Sequence, residues 1–248
     1  MQPLKKLIIS EFSTPRTLSF YEHMAVSGLW KSEEILIRKY FRKGPVLDIG
    51  CGTGRTTIAL SKLGYKVTGI DITPAMIKSA QRIARRENIP IVYLVADACK
   101  LPFPARKFSN ALFSFNGWSQ IPGKKNRLSA LKEAHRVLKK DGVFIFTTHI
   151  RSYKGKYLLT WGIEFFKHYI MKPFGYDPGY PDFGDLFFIR DSSSTYTRQY
   201  IHIASASEVE RQINQAGFRL VYKGYRNNIS SDDSGLKSSD CMFFVCKA

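Results

Sequence analysis

The chain has 248 residues, 38 Lys and Arg against 20 Asp and Glu, a formal net charge of +18, and 44% hydrophobic residues. That length carries one large core, the apolar fraction without low-complexity tracts excludes a disordered protein, and no apolar run approaches the ~20 residues that cross a bilayer. The charge favours polyanions such as RNA, DNA or an anionic membrane surface. The basic residues are spread, however, and the clusters at 82–86 and 124–140 read as solvated helix faces. Lys5 and Lys6 precede only Leu7, Ile8 and Ile9, too short for a signal peptide. Cys51, Cys99, Cys241 and Cys246 have no framework spacing and read as reduced thiols, so the expected location is cytoplasmic and no metal site is expected.

In residues 1–45, Phe20, Tyr21, Met24, Ala25, Leu29 and Trp30 keep a helical spacing that breaks at Ser27-Gly28, and Ser32-Glu33-Glu34 opens a second helix through Phe41. Residues 46–57, V-L-D-I-G-C-G-T-G-R-T-T, organise everything after them. Val46, Leu47 and Ile49 suit a buried parallel strand, Gly50, Gly52 and Gly54 a bare turn, and the next residues a helix. The glycines permit positive φ and close approach of a ligand to main chain, and the helix start aims free N–H groups there. Residues 66–70 form a second strand that ends at Asp71, about 20 positions after the turn, where a carboxylate suits a ribose. Asp48 within the first strand would repel a phosphate and tolerate an ammonium group. The pair therefore argues against a dinucleotide and for a nucleoside joined to an amino acid.

Thr73-Pro74 opens a helix that ends near Asn88. Strands are expected at 91–96, 108–115 and 143–148, with a helix at 126–139 between the last two. Asn116, Gly117, Trp118, Ser119 and Gln120 follow the fourth strand at its carboxyl end, where open α/β sheets bind ligands. His149 ends the fifth strand at the same edge and could serve as a base. Residues 151–200 crowd aromatics, among them Trp161, Phe165, Phe183 and Tyr196, around a helix at 158–170 and an irregular stretch at 173–183. Ser205 to Glu208 is a capping box, Gly217 a C-cap, and strands follow at 218–225 and 241–246 around a polar loop at 230–239.

The stretch D-I-G-C-G-T-G resembles motif I of the class I S-adenosylmethionine (SAM) methyltransferases. The resemblance covers 46–150, supported by A-D-A-C-K-L-P-F and E-A-H-R-V-L-K, and is weaker from Arg198 onward. It implies one domain, 1–248, with a seven-stranded, mostly parallel Rossmann-like sheet, helices on both faces and an antiparallel last strand. N-terminal helices at 1–45 would form a lid, 46–150 the SAM-binding core, 151–204 an inserted substrate lid, and 205–248 the last helix and two strands. The cofactor would be SAM, with S-adenosylhomocysteine as product. It would contact Asp48, Gly50, Cys51, Gly52, Gly54, Asp71, Ile72, Asp97, Ala98, Phe115, Asn116 and Gly117, with Asp97 and Ala98 at the adenine. Tyr21 is the lid aromatic, ahead of His23. Asn110 stands where relatives have an aspartate, read as a structural change, and His135 is a helix-face residue. His149 and Gln120 are candidates for catalysis, and Trp118 and His202 for substrate contact.

The function implied is methyl transfer from SAM to a small molecule held under the aromatic insertion, with no membrane insertion. A tRNA wobble-uridine methyltransferase is the alternative, on the basic surface and the chain's ending. A non-catalytic SAM-fold binding protein and an NAD enzyme are disfavoured by the intact glycine turn and by Asp48.

Overall fold

A computed structural model describes residues 2–180, 182–189, 198–236 and 241–248. Tyr196 and the end of the polar loop, 237–239, lie outside the described residues. Seven strands form one sheet: β1 (Val46–Ile49), β2 (Val67–Asp71), β3 (Val92–Val95), β4 (Phe108–Phe113), β5 (Leu138–His149), β8 (Arg219–Tyr225) and β9 (Cys241–Lys247), while β6 (Asp185–Ile189) and β7 (Arg198–His202) make a separate antiparallel hairpin. The order across the sheet is β3-β2-β1-β4-β5-β9-β8. Only β9 runs against its neighbours β5 and β8 in that sheet. Strand β5 starts earlier than expected, because Leu138 pairs with Phe108 before a register shift lets Val143 pair with Asn110.

Alternation within strands sorts the two faces. Leu47, Ile49, Phe144, Phe146 and Phe244 share one cluster with residues of α6 (Lys124–Val137) and α8 (Ala206–Gln215). Val46, Val143, Ile145, Phe243 and Val245 point the other way, against Leu36 and Ile37 of α3 (Lys31–Tyr40) and Leu60 of α4 (Arg55–Lys62). Helix α5 (Pro74–Arg86) sets Ile77, Ala80 and Ala84 against Tyr93. Asn110 is a clamp: its Oδ1 accepts from Arg42 N at 2.9 Å and its Nδ2 donates to Arg42 O at 2.8 Å. An aspartate could not donate, so the departure from the family residue is structural.

The N-terminal helices differ from expectation. Helix α1 (Gln2–Phe12) was not legible, and α2 (Pro15–Met24) ends well before Trp30. Thr14 caps α2, accepting from Thr17 N at 3.3 Å, with Pro15 at its first position. Ser205 caps α8, accepting from Glu208 N at 3.1 Å. In the insertion, α7 (Lys156–Phe165) runs into a π-helical turn, Phe166–Met171. A short helix α9 (Arg226–Ile229) follows β8.

Candidate active site

The carboxyl ends of β1, β2 and β4 surround a cavity of about 570 Å³, roofed by α1 and α2. Gly50 and Gly52 line it with φ of +63° and +54°. A Cβ on Gly52 would meet only Tyr21, at 3.9 Å, so its bare main chain faces open space. A Cβ on Gly50 would come within 2.7 Å of the Phe113 ring, and Gly117 is crowded by the same ring. Phe113 thus sits slotted between the turn after β1 and the turn after β4.

Three motif residues serve the fold instead of the cavity wall. Gly54, at φ +99°, is glycine because a Cβ would lie 2.6 Å from the Tyr93 hydroxyl. Cys51 is buried, its N–H donating to Ile70 O at 2.9 Å, and burial pushes its thiol up. Asp48, 1% exposed, accepts from Thr56 and Thr57, both at 2.6 Å, and so ties β1 to the first turn of α4. Burial pushes its carboxyl up to about 6, with the two threonines opposing. Its Oδ1 has no partner among the described residues.

Asp71 and Asp97 both line the cavity. Asp71 accepts from Gly52 N at 3.0 Å and Thr73 N at 2.8 Å, which fixes the glycine turn to the tip of β2. Burial raises its pKa against those two hydrogen bonds. Asp97 accepts from Cys99 N at 3.0 Å and from Lys5 Nζ, on the roofing helix, at 2.6 Å. Burial would raise its pKa, but Lys5 and Cys99 outweigh it and hold the carboxyl below its ordinary value. Ile72 and Ala98, next in the chain to these carboxylates, line the cavity too.

The turn after β4 carries two successive non-glycine residues in the left-handed region, Phe115 at φ +54° and Asn116 at φ +62°. The end of β5 holds them there. Asn116 N donates to Thr147 Oγ1 at 2.8 Å, and Asn116 Nδ2 meets His149 Nε2 at 3.0 Å. Phe115, Gly117 and Gln120 line the cavity; Asn116 lies just behind them, buried, its Oδ1 without a partner among the described residues. His149 therefore positions the turn from behind and does not line the cavity, contrary to its expected place as a base. Beneath Ser114, another lining residue, Glu33 accepts from the Ser114 hydroxyl and takes both guanidinium nitrogens of Arg55 at 2.7 Å. Burial raises the Glu33 carboxyl, yet the Arg55 charge overrides this and leaves it below the ordinary range.

Tyr21 lines the cavity as expected, edge-on to Phe115 at 6.0 Å, while His23 is exposed and bonds back to Ser19 O. Two substrate candidates are misplaced. Trp118 is fully buried, donating to Arg127 O at 3.2 Å. His202 is fully buried, with Nδ1 2.7 Å from Asp185 Oδ1 and Nε2 3.1 Å from Glu208 Oε1. His202, Asp185, Tyr200 and Arg127 pin the β6–β7 hairpin to the body. No described residue of 151–204 lines the cavity, so among the described residues the insertion is not its lid. Helix α1 is, through Lys5, Ile8, Ile9 and Phe12. Its signal lay in the apolar residues at 8, 9 and 12, masked by reading 5–9 only for a leader.

Bare main chain at the end of β1, a carboxylate at the end of β2, another after β3 and an apolar roof suit a nucleoside carrying an amino-acid arm. Of the two lysines among the described lining residues, Lys5 is already committed to Asp97, and Lys6 is exposed on α1. With this strand order, those features define a class of α/β transferases that use a sulfonium nucleoside.

The methyltransferase domain family matches residues 46–142. A demethylmenaquinone methyltransferase of Staphylococcus epidermidis is 36% identical over 132 residues, and there the chain spans about half of the relative's length, 51%. A demethylmenaquinone methyltransferase of Staphylococcus aureus is 30% identical over 234 residues, covering 90% of this chain and 86% of the relative. A solved SAM-dependent methyltransferase from Methanosarcina mazei superposes with a TM-score of 0.69 at 21% identity, over 89% of this chain and 98% of that one, and shares the fold. The chain belongs to the class I SAM-dependent methyltransferases, whose cofactor is SAM.

Proposed function

We propose that the protein transfers the methyl group of SAM to an apolar small molecule, of the kind that gives its demethylmenaquinone methyltransferase relatives their name. The observation that carries this is the cavity wall opposite the carboxylates. Phe12 from α1, Tyr21 from α2, and Phe115, Ile121 and Pro122 from the segment after β4 give it an apolar, aromatic lining.

Gly50 and Gly52 would hold the methionine arm through main chain, Asp71 the ribose hydroxyls, and Asp97 the adenine amine, with Ile72 and Ala98 against the ring. When bound, SAM supplies a methyl group already activated by its sulfonium. What the chain must add is alignment and exclusion of water. Tyr21 and Phe12 do the second, as parts of the α1–α2 roof. Gln120, a polar side chain of the lining beside Phe115 and Ile121, would orient the acceptor.

A second reading, methyl transfer to tRNA, draws on the net charge of +18. Labelled SAM offered to a demethylated quinol and to total tRNA separates them. Label in the lipid-extractable fraction is expected. Label confined to tRNA, with tRNA binding that weakens steeply with salt, would move the assignment to the second reading.

A further inference from the structure

Helix α7 is built inside out. The residues facing the body, Trp161, Glu164 and His168, are 4%, 7% and 8% exposed, and two of the three are ionisable. Their spacing of three and four makes one stripe. The outward residues include Leu158, Leu159, Ile163 and Phe166, exposed by 60%, 71%, 47% and 53%, and Phe174 beyond them is 89% exposed.

The orientation is fastened. Glu164 accepts from Lys167 Nζ at 2.9 Å and from the Tyr180 hydroxyl. Trp161 packs edge-on to Phe183 at 6.1 Å, and the Arg151 guanidinium lies 4.9 Å from Trp161 and 4.1 Å from Phe183. Arg151 also donates to Phe183 O and Ile203 O. The polar stripe is therefore inside by construction, and the apolar face is left in water. Taking such side chains out of water is favourable, so a contiguous set implies an occupant.

Charge selects the occupant. Residues 151–180 carry five Lys and Arg against two acids, and one of those acids, Glu164, is buried. Exposed Lys154 and Lys172 flank the apolar face at both ends. A second copy of this face would oppose like charges. A nucleic acid would use the lysines and aromatics but not the leucines and isoleucine. Leucine, isoleucine and phenylalanine inside, tyrosine nearby and lysine at the ends suit an anionic lipid surface. Ten residues of α7 reach only about 15 Å, and among the described residues no helix is long and apolar enough to cross a membrane. The helix would lie in the interface plane.

We propose that the outward face of residues 157–174 docks on the surface of an anionic lipid bilayer. The docked element is tied to the cavity rim. Asp182, eight residues beyond it, accepts from Lys124 N at 2.6 Å, two residues past the lining residue Pro122, and from Arg127 Nη2 at 2.9 Å. The docking rests on this face alone and holds whichever acceptor the cavity takes.

The test is co-sedimentation of the full chain with vesicles of phosphatidylcholine alone or with roughly one third phosphatidylglycerol. Binding is expected to the anionic vesicles and to weaken with salt. The double variant Leu159→Glu/Phe166→Glu should lower that affinity at least about tenfold, with SAM binding and thermal midpoint unchanged. Should it fail to fold, Leu158→Glu/Phe174→Glu, both at exposed positions, takes its place with the same expectation. No binding at low salt, or binding that neither double variant weakens, overturns the proposal. So does a dimer in light scattering that the variant dissociates while vesicle binding persists. So does tRNA binding that the same substitutions abolish in place of lipid binding.

Discussion

Helices α3 and α7 each turn a glutamate into the body, and they use it oppositely. On α3, Glu33 is an inset in an apolar face: Leu36 and Ile37 are buried beside it, and Lys31, Arg38 and Lys39 face water. On α7 and the π-helical turn that continues it, Glu164 and His168 supply most of the buried stripe, and the leucines and phenylalanines face water. In the first case a buried ion pair is added to hydrophobic packing and supports a site wall through Ser114. In the second the polar contacts replace packing, and the apolar residues must find their cover elsewhere. A buried carboxylate thus says little by itself; what stands on the opposite face of its helix tells whether the element ends at the body or reaches beyond it.

Breaking the α3 side should cost most. Glu33→Ala leaves the Arg55 guanidinium buried without its carboxylate and should lose about 3–5 kcal/mol in denaturant unfolding. A loss under about 1 kcal/mol would mean that the pair adds nothing to the packing around it. Asp71→Ala removes the group that holds the Gly52 and Thr73 N–H groups, and SAM affinity by titration calorimetry should fall roughly 10- to 100-fold. Unchanged affinity would take Asp71 out of the site.

Asp48 offers a pH test of the same half of the molecule. Its carboxyl is pushed up from 3.8 to about 6 by burial. Between those values the native state holds a proton that the unfolded chain has released. Stability contributed by Asp48 is therefore lost as pH rises through that window, by roughly 3 kcal/mol, and is level above it. Asp48→Asn should flatten the slope between about pH 4 and pH 6; an unaltered slope would assign it to other groups. On the α7 side the smallest effect is expected. Leu159→Glu should change stability in solution by less than about 0.5 kcal/mol, since that residue is 71% exposed. A clear loss would show that it packs on the protein after all.

The sheet was largely legible because its central strands are apolar, buried and bounded by glycine or acidic residues, as at 46–50 and 67–71; β3, read as buried, instead leaves Val92, Leu94 and Val95 exposed at the sheet edge. The site was legible where an element ends at the sheet edge, as with Gly50, Gly52, Asp71 and Asp97. Within motif I the sequence could not tell which residues face the cavity. Gly54 answers to Tyr93, some forty residues away, and Asp48 to two threonines on the next helix. Trp118, His149 and His202 also lie near the right edge in the chain, but burial among Arg127, Asn116 and Asp185 engages them. Helix α1 and the β6–β7 hairpin went unread because each depends on distant partners, Asp97 for Lys5 and Arg127 for Asp185.

Phe113, held between Gly50 and Gly117, makes the two turns one mechanical unit. Gly117 has an ordinary backbone and is forbidden a side chain by that ring alone, whereas Gly50 is also constrained by its φ of +63°. Gly117→Ala should then be tolerated only with a suppressor such as Phe113→Leu, readable as recovered melting temperature, and no second change should rescue Gly50→Ala as fully. As the lineage diverges, the ring and the residue at 117 are free to drift only in step.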